Sequence, residues 1–569
     1  MKKNIIVLIT FLLIFLNFNG VQMSADRITG KHFVTRSEVI STDGMVAASH
    51  PLAAQIGIDI LKKGGSAVDA AIAVNAALGL MEPTGSGIGG DLFAIVWDSK
   101  SGKLHGLNSS GYSPAALNLD ILKKKGLKRM PFYGPIPWTV PGCVSGWFSL
   151  HDKFGKLKFR EILAPAIKYA ENGFPLTELI AYYWKTSVDR FKDYKNFQAT
   201  YAPNGRSPEK GEIFHNPDLA KTYRLIAKKG RDAYYKGEIA KKIVEYSKRV
   251  GGYFSLSDLS EFRSEWVEPM GVEFMGNKLW ELPPNGQGLA ALQMLKMLKD
   301  LDLKKMGHNS AEYLHALIEI KKIVYEDRAK FYSDPAFSKI DYEAFLTDKY
   351  TEKRLKLFNK KKASRSLKVN SAPPEKGDTI YLTVVDKDRN VVSLIQSNYF
   401  GFGSGMVPDG LGFCIQDRGS LFNLDEDHFN AFEPRKRPFH TIIPAMVTRN
   451  GKPVFSFGVM GGSMQPQGHV QVLLNILVFG MNIQEAGDAA RFRHGGSSQP
   501  DSGVMRDGGT VFLESGVLKG VIRDLISFGH KISRTRGGYG GYQGIWIDWK
   551  KGVLIGGSES RKDGAAIGY

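Results

Sequence analysis

The feature that most constrains this chain is a predicted β-hairpin at residues 378–397. From Thr379 to Val385, apolar residues alternate with aromatic, β-branched or hydroxyl residues, as in a buried strand. Residues 387–390 have the composition of a turn, and residues 391–397 that of the returning strand. The sequence therefore predicts a hairpin whose first strand begins at a hydroxyl residue.

Pairing about the middle of that turn places Thr379 opposite Asn398 and beside Ser397. Upstream, residues 361–376 are basic and carry no periodic pattern, which predicts an exposed segment. A hydroxyl residue that opens a buried strand directly after an exposed segment suggests a nucleophile made by cleavage of the chain. The alternative is a structural threonine at the start of an ordinary strand.

The chemistry of threonine explains why cleavage would matter. A threonine hydroxyl is a weak nucleophile until a base accepts its proton, and a free N-terminal amine on the same residue can be that base. Such an amine has a pKa of about 7.7–8.0, so much of it is neutral near physiological pH. A cut between Asp378 and Thr379 would therefore create the nucleophile and its base together.

Six further motifs accompany this strand. In chain order they are GGSAVDAA (64–71), GSGIGG (85–90), PPNGQG (283–288), the Asp-Arg and Asp-Pro pairs within 327–335, GGS (461–463) and GGSESRKDGAA (556–566). Together with the Thr379 strand, and in this order from about Met45 to the C-terminus, they resemble the γ-glutamyltranspeptidase family of N-terminal-nucleophile hydrolases. Each motif is weak alone, whereas their joint order is specific.

The resemblance implies a fold, a precursor and an activity. The fold would be α+β, a four-layer αββα sandwich with two central antiparallel sheets covered by helices. The precursor would cut itself between Asp378 and Thr379 into subunits of residues 26–378 and 379–569, which remain partners. The activity would be γ-glutamyl transfer or hydrolysis on glutathione-like amides, with no metal and no organic cofactor.

Within this resemblance, Thr379 is the nucleophile and Ser397 is its hydroxyl partner. A predicted strand and an apolar helix at residues 470–479 flank the pair Gly461 and Gly462. A strand, a tight turn and a helix present free N–H groups at the helix N-terminus, which is what a developing oxyanion needs. The two glycines are therefore predicted oxyanion donors, with a plain tight turn as the alternative.

The residues that would hold the substrate's amino-acid head depart from the family's pattern. Typical transpeptidases grip the α-carboxylate with an Arg in the loop that corresponds to residues 107–114, but Ser110 or Tyr112 stands in its place here. Leu421 stands where those enzymes have an Asp for the α-amine, and Tyr399 where they have an Asn. These departures favour an acyl group other than γ-glutamyl as an alternative.

The resemblance also places four other residues along the substrate pocket. Asp417 and Arg418 follow a glycine-rich stretch, and His440 and Thr441 stand where typical transpeptidases have two serines. The relatives with this His-Thr pattern include acylase-like members, and His440 could contact the substrate or polarise Thr379.

Three functions remain open at this point. The first is γ-glutamyl transfer or hydrolysis on a small-molecule or peptide amide. The second is an acylase for another acyl amide, such as a glutaryl-type amide. The third is a non-catalytic, exported binding protein that keeps the fold.

The chain begins with the pattern of a secretory signal. Two lysines precede a short apolar run at residues 5–18, so residues 1–25 are predicted to be a signal peptide. We expect export to the periplasm or the extracellular space, with no stable membrane span after signal removal.

The net charge of +19 and the glycine-rich residues 536–542 are compatible with nucleic-acid binding, but the lysines are scattered, which favours a soluble basic surface and no nucleic-acid partner. Cys143 and Cys414 could form one disulfide outside the cytoplasm, whereas their apolar neighbours favour two buried thiols.

The N-terminal half is predicted to be mainly helical. An apolar stripe at residues 52–61 indicates one helix, and Ser66 can cap a second at residues 67–80, which is apolar nearly all round and belongs in the core. Residues from about 150 to 350 also have helical patterns, with Asn309 as the cap of a long helix.

Residues 85–90 formally satisfy the dinucleotide-binding pattern G-x-G-x-x-G. A helix precedes them and the strand-like residues 92–97 follow, which is the reverse of the order in a dinucleotide-binding turn. We therefore expect a tight loop near the active site. The sequence contains no His-Glu-x-x-His motif and no Cys/His cluster, so it predicts no metal site.

Overall fold

A computed structural model describes residue 31, residues 33–366 and residues 378–569. The predicted signal peptide, residues 1–25, and residues 367–376 of the predicted exposed segment lie outside the described residues. Within the described ranges, no helix has the length and apolar character needed to cross a membrane.

The strands are numbered along the chain. They are β1 (Val39–Ser41), β2 (Met45–Ala48), β3 (Asp91–Asp98), β4 (Lys103–Ser109), β5 (Phe174–Pro175), β6 (Ile213–Phe214), β7 (Glu265–Val267), β8 (Met270–Phe274), β9 (Asn277–Glu281), β10 (Asp378–Val385), β11 (Val391–Tyr399), β12 (Ala445–Arg449), β13 (Lys452–Val459), β14 (Phe492–Gly495), β15 (Thr510–Leu513), β16 (Ile532–Ser533), β17 (Tyr542–Asp548), β18 (Val553–Ser558) and β19 (Ala565–Gly568).

The helices are numbered in the same way. They are α1 (Pro51–Lys62), α2 (Ala67–Met81), α3 (Leu119–Lys124), α4 (Cys143–Phe154), α5 (Phe159–Asn172), α6 (Glu178–Arg190), α7 (Lys195–Tyr201), α8 (Pro217–Lys229), α9 (Arg231–Tyr235), α10 (Glu238–Arg249), α11 (Leu256–Glu261), α12 (Gly288–Leu298), α13 (Leu303–Met306), α14 (Ala311–Phe331), α15 (Asp348–Leu355), α16 (Gln465–Leu477), α17 (Ile483–Asp488) and α18 (Lys519–Ser527).

Two seven-stranded antiparallel sheets form the centre of the molecule. Sheet 1 has the strand order β1-β18-β17-β13-β12-β9-β8, and sheet 2 has the order β19-β2-β10-β11-β3-β4-β7. Their facing surfaces enclose a buried apolar layer to which both contribute, with Phe93 and Tyr381 from sheet 2 and Met446 and Ile545 from sheet 1. Burial of such side chains is the main force that holds the sheets together.

Helices cover the outer face of each sheet. On sheet 2, α2 is buried along its whole length and packs with α1, α4 and α5 on the outward side chains of β10 and β11. On sheet 1, α12, α14 and α16 pack on the outward side chains of β12 and β13. The predicted four-layer αββα sandwich is confirmed.

The two predicted subunits contribute strands to both sheets. In sheet 2, β10 and β11 lie between β2 and β3, and in sheet 1, β12 pairs with β9. Residues before and after Thr379 therefore share one core and one set of backbone hydrogen bonds. A cut before Thr379 would leave two interlocked chains.

Several local predictions are confirmed. The helix at 52–61 is α1, and the helix at 67–80 is α2, which begins at a reciprocal capping box between Ser66 and Asp69. Both thiols, Cys143 and Cys414, are buried and free.

One local prediction needs correction. The cap of α14 is Ser310, whose hydroxyl accepts from the Tyr313 N–H, because Asn309 adopts a left-handed backbone with φ of 54°. Residues 150–350 are mainly helical, as predicted, and strands β7 to β9 within them extend the edges of both sheets. These strands are only three to five residues long, so their pattern is weak beside the surrounding helical periodicity.

Candidate active site

A β-bulge places two polar residues opposite Thr379. Pairing between β10 and β11 shifts by one residue between Asp378 and Ile380, so Thr379 alone lies opposite both Ser397 and Asn398. The hairpin body is therefore one residue out of the predicted register, and the bulge restores that register at its open end. Bulges of this kind re-aim side chains beside functional sites.

The Thr379 hydroxyl lies in a buried hydroxyl pair. Its Oγ1 is 3.5 Å from Ser397 Oγ, and only 1% of Thr379 is exposed. Ser397 Oγ accepts from the Tyr399 N–H at 2.8 Å and donates to the carbonyl oxygen of Asp378, also at 2.8 Å. Ser397 therefore contacts both the predicted nucleophile and the peptide bond predicted to break.

The glycine-rich loop at residues 85–90 packs on this bond. A Cβ on Gly85 would lie 3.1 Å from Thr379 N, and the Gly85 carbonyl accepts from the Asn398 N–H at 3.4 Å. A Cβ on Gly90 would likewise collide with the Ser397 carbonyl oxygen. Only glycine lets the two backbones approach this closely. The predicted tight loop near the active site is confirmed in position.

A buried ion pair flanks the same bond. Lys562 Nζ donates to Glu82 Oε1 at 2.8 Å and to Asp378 Oδ1 at 3.4 Å, and the Thr379 N–H donates to the same Asp378 oxygen at 3.0 Å. Ser49 Oγ holds the second oxygen of Glu82 at 2.5 Å. Burial alone would lower the pKa of Lys562, but the carboxylates of Asp378 and Glu82 raise it well above its usual range. Lys562 is therefore a cation at neutral pH.

The predicted oxyanion turn follows β13, which faces β10 across the sandwich. Thr383 and Ser456 share a hydrogen bond of 2.6 Å between the sheets, and Gly458 packs against the Tyr381 ring. These contacts run in opposite directions along the two strands, so the start of β10 and the end of β13 lie at the same end of the sandwich.

The turn itself contains two consecutive left-handed glycines. The φ angles of Gly461 and Gly462 are 112° and 58°, values that side-chain-bearing residues rarely adopt. A short 3-10 turn, Gly462–Met464, then leads into α16. Among the described residues, no acceptor takes a hydrogen bond from either glycine N–H. Neither N–H group is therefore committed to an acceptor within these residues.

Gln287 ties this turn to Thr441. Its Nε2 donates to the carbonyls of Thr441 and Gly462 at 2.6 Å and 2.9 Å, and its Oε1 accepts from Arg328 Nη1 at 2.6 Å. All of these groups are buried. Gln287 thus fixes the predicted oxyanion turn relative to the predicted substrate residues, although sequence reasoning assigned it no role beyond its motif.

Arg418 is a buried guanidinium with spare hydrogen-bonding capacity. Its Nη1 donates to Thr441 Oγ1 at 2.6 Å, and its Cζ lies 4.8 Å from the centre of the Tyr399 ring. Among the described residues, Nε and Nη2 have no partner. Burial lowers the pKa of Arg418 to about 10, so the group keeps its charge at neutral pH. A buried cation with two free donors is suited to an anionic ligand.

Asp417 is the neighbouring buried acid. Its Oδ1 accepts from the Phe400 N–H at 3.2 Å, whereas Oδ2 has no partner among the described residues. Burial raises the pKa of Asp417 to about 8. With that pKa the carboxyl of Asp417 is mainly protonated at neutral pH. Asp417 and Arg418 thus bring one unpartnered carboxyl oxygen and two spare donors to this part of the protein.

His440 is engaged by Asp91 and has no described contact with Thr379. Its Nε2 lies 3.1 Å from Asp91 Oδ2, and its Nδ1 accepts from the Ile442 N–H at 3.4 Å. Burial and the Arg418 charge lower the pKa of His440 well below its usual value, so the ring is neutral. These contacts favour a structural role for His440 near Arg418 over the polarisation of Thr379.

Tyr112 lies on the helical side of the same region. Its hydroxyl donates to the Asp258 carbonyl at 2.9 Å, and its ring packs on Phe262. Among the described contacts, none joins its side chain to Thr379 or Arg418. Sequence reasoning brought Tyr112 to the site, but the structure gives its hydroxyl a protein partner.

Comparisons with known proteins identify the family of this chain. The model of the family described as gamma-glutamyltranspeptidase matches residues 53–569. The chain belongs to the γ-glutamyltranspeptidase family. Within it, the chain is 35% identical to a glutathione hydrolase-like YwrD proenzyme of Bacillus subtilis (strain 168), over 93% of this chain and 99% of that protein.

Other relatives carry other names. The chain is 31% identical to an oxamate amidohydrolase proenzyme of Klebsiella pneumoniae, over 94% of this chain and 100% of that protein. It also resembles the crystal structure of a cephalosporin acylase from Bacillus halodurans, with a TM-score of 0.88, 41% identity, and coverage of 96% of this chain and 99% of that one. This member of the γ-glutamyltranspeptidase family is an enzyme with the N-terminal-nucleophile hydrolase fold, and the names of its relatives span several amide substrates.

Among the described residues of this family member, one group of side chains outside the candidate active site is of the types that can ligate a metal. Ligand atoms of His315, Glu319 and His530 lie within 4.8 Å of one another. The two imidazoles hydrogen-bond each other at 2.8 Å, while Glu319 pairs with Lys322 at 2.7 Å. Because these groups already satisfy one another, we assign them a structural role. The sequence could not indicate this group, since His530 is distant from the other two in the chain.

Proposed function

We propose that this protein is a precursor that cuts its own Asp378–Thr379 bond and then acts as an N-terminal threonine amidase. The observation that carries the proposal is the position of Ser397, whose hydroxyl bonds the Asp378 carbonyl oxygen at 2.8 Å beside the Thr379 hydroxyl. The resulting chains would be about residues 26–378 and 379–569. The word proenzyme in the names of the relatives agrees with such processing.

Self-cleavage would begin with attack of Thr379 Oγ1 on the Asp378 carbonyl carbon. The Asp378 carbonyl oxygen becomes negatively charged and is stabilised by the hydrogen bond from the Ser397 hydroxyl. The Thr379 hydroxyl loses its proton as Oγ1 attacks, and the Thr379 nitrogen gains one as the C–N bond breaks, which leaves an ester. Water then hydrolyses the ester. The products are an α-carboxylate on Asp378 and a free amine and hydroxyl on Thr379.

The mature enzyme would use the new amine as its base. The amine accepts the hydroxyl proton, and Oγ1 attacks the carbonyl carbon of a substrate amide. The N–H groups of Gly461 and Gly462 stabilise the oxyanion, and the proton passes to the leaving amine as the C–N bond breaks. Water, or an acceptor amine, then removes the acyl group from Thr379.

We propose amides with a carboxylate on the acyl group as the substrate class, with the γ-glutamyl group of glutathione-like peptides as the first candidate. The spare Nε and Nη2 of buried Arg418 support a carboxylate ligand, and an α-ammonium group beside the unpartnered Oδ2 of Asp417 would favour the ionised form of that carboxyl. In this proposal Tyr399 stacks on Arg418 and Thr441 binds its Nη1, while Asp91 pairs with His440 and favours the charged form of Arg418.

The second candidate is a glutaryl-type acyl group, which has the carboxylate but no α-amine. One sequence feature favours it over γ-glutamyl: Leu421 replaces the family's ammonium-binding Asp. The missing Arg in the loop at residues 107–114 alters the family's carboxylate site for both candidates. The cephalosporin acylase among the similar structures agrees with this alternative. We further propose that residues 1–25 direct the enzyme to the periplasm or the extracellular space.

Intact mass and N-terminal sequencing of the purified protein test self-cleavage. We expect two chains, one of which starts at Thr379, and a single inactive chain for Thr379→Ala. Cleavage at the same bond in Thr379→Ala would overturn the proposal. A single uncut wild-type chain would favour the non-catalytic binding protein.

Substrate class is tested with three p-nitroanilides: γ-glutamyl, glutaryl and pentanoyl. The γ-glutamyl and glutaryl compounds carry the carboxylate, whereas the pentanoyl compound lacks it. Turnover of both carboxylated compounds ahead of the pentanoyl compound is expected, and γ-glutamyl turnover decides between the two candidates. Preference for pentanoyl would overturn the proposed class.

A further inference from the structure

We propose that Lys562, held by Glu82, is a positioning residue for self-cleavage, because it fixes the side chain of Asp378 in the uncut precursor. This inference rests on the proposed self-cleavage and adds a residue to it. Lys562 touches neither Thr379 Oγ1 nor the scissile carbonyl in the described contacts. It would therefore act through Asp378 alone.

The geometry around Lys562 is rigid. Glu82 directly follows α2, and its backbone N–H donates to the Leu78 carbonyl. Ser49 Oγ donates to Oε2 of the Glu82 carboxylate. The stem of Lys562 packs directly on Gly541, where a Cβ would collide with it. The ammonium is thus fixed in place before it meets Asp378, and only 7% of the lysine side chain is exposed.

The contact with Asp378 sets the orientation of the scissile peptide. Asp378 Oδ1 accepts from both Lys562 Nζ and the Thr379 N–H, so the carboxylate holds the amide side of the bond. The carbonyl side is held by Ser397. With both sides of the peptide plane fixed, the carbonyl oxygen stays on its donor and the carbon stays open to Thr379 Oγ1.

Charge makes this arrangement specific to the precursor. The ammonium of Lys562 faces the carboxylates of Glu82 and Asp378 and the ring of Tyr183. After cleavage, Asp378 is a chain end, and the Lys562–Glu82 pair remains beside Thr379 with no net charge. Lys562 is therefore expected to matter more for the cut than for later turnover.

The test is a double-mutant cycle on the rate of self-cleavage. Wild type, Lys562→Met, Asp378→Ala and the double variant are made by in vitro synthesis, and the decay of full-length chain is followed on denaturing gels. Lys562→Arg tests rescue by another cation. Lys436→Met is the matched control, because it removes a buried ammonium that pairs with Glu433.

We expect each single variant to slow cleavage about tenfold or more, since each removes a hydrogen bond between charged groups. The double variant should be no slower than the slower single variant, and Lys562→Arg should recover most of the rate. Lys436→Met should cleave at the wild-type rate. Independent, multiplicative effects in the double variant would overturn the inference.

A purely structural ion pair gives a different result. Melting temperatures are compared in a Thr379→Ala background, where the chain stays whole. A lower melting temperature for Lys562→Met with an unchanged cleavage rate in the active background would overturn the inference while leaving the proposed function intact. Absence of cleavage in the wild type, or cleavage in Thr379→Ala, would instead overturn the proposed function.

Discussion

Ser397 donates a hydrogen bond of 2.8 Å to the carbonyl oxygen of Asp378, at the bulge where the pairing of β10 with β11 shifts by one residue. The same hydroxyl oxygen lies 3.5 Å from Thr379 Oγ1. One side chain thereby links the proposed nucleophile to the bond that it would break first.

Removal of the Ser397 hydroxyl should slow self-cleavage strongly. In Ser397→Ala, the Asp378 carbonyl loses the donor that would stabilise its oxyanion, a loss that typically costs about 100-fold or more in rate. Decay of the precursor measured by intact mass checks this. Ser393→Ala is the control, because Ser393 is a buried hydroxyl of the same strand that bonds Tyr381 instead. Equal rates for the two variants would contradict the role of Ser397.

Gln287→Leu should lower turnover by the cleaved enzyme. The Gly462 and Thr441 carbonyls would lose their shared donor, and a buried group left unpaired costs about 1–3 kcal/mol. Because the turn is proposed to stabilise the transition state, kcat should fall about tenfold or more with a smaller change in KM.

The control for that variant is Gln293→Leu. Gln293 is also a buried amide and lies within α12, which begins directly after Gln287. It hydrogen-bonds Asp327 and Tyr332 instead. We expect it to lower the melting temperature without the specific loss in kcat. A loss confined to stability in both variants would contradict the proposed role of Gln287.

Arg418→Met should change substrate preference. Turnover of glutaryl and γ-glutamyl anilides should fall about tenfold to 100-fold, because their carboxylate loses a charged partner, while pentanoyl anilide loses much less. Arg418→Lys should recover only part of the loss, since lysine lacks the planar fork. Steady-state kcat/KM on the three compounds measures this, and equal losses on all three would contradict carboxylate recognition by Arg418.

Asp91 should make the folded chain less stable as the pH rises from acid to neutral. Burial raises the pKa of Asp91 to about 7, compared with about 3.9 for an Asp in an unfolded chain. The folded chain therefore keeps a proton that the unfolded chain loses between these values. The stabilising contribution is present in full below about pH 4 and is lost as the pH rises through about 7.

Asp91→Asn removes this titration. The free energy of unfolding of the protein with Asp91, minus that of the Asp91→Asn variant, should fall by up to about 1.4 kcal/mol per pH unit in that window. Urea unfolding at a series of pH values, with both chains in a Thr379→Ala background so that each stays in one piece, measures it. A difference that does not change with pH would contradict a neutral, buried Asp91.

Patterns of short range made much of the fold predictable. The Ser66–Asp69 capping box and the apolar residues of 67–80 lie next to each other in sequence, so they indicated α2 directly. The hairpin at Thr379 was equally visible, yet its register was not, because the bulge depends on how Ser397 and Asn398 fit against loop 85–90.

The candidate site divides in the same way. Motifs brought Thr379, Ser397, Gly461 and Gly462 to attention, each with a chemical reason that its neighbours in sequence supply. Asp91 carried no such signal and Gln287 carried only its place in the PPNGQG motif, because a single buried Asp or Gln has no pattern of its own. Their importance lies in partners more than a hundred residues away.

The sequence by itself determined the family, through the order of its motifs, and a threonine that cleavage would make reactive, through the pattern around residue 379. The layered α+β fold followed from the resemblance to that family. Only the tertiary structure decided that Ser397 binds the Asp378 carbonyl while Lys562 binds the Asp378 carboxylate, and that Arg418 is buried with spare donors. Those relations arise where the two sheets and their helices meet. Contacts between residues that are distant in sequence are set by packing of the whole core, which no local pattern records.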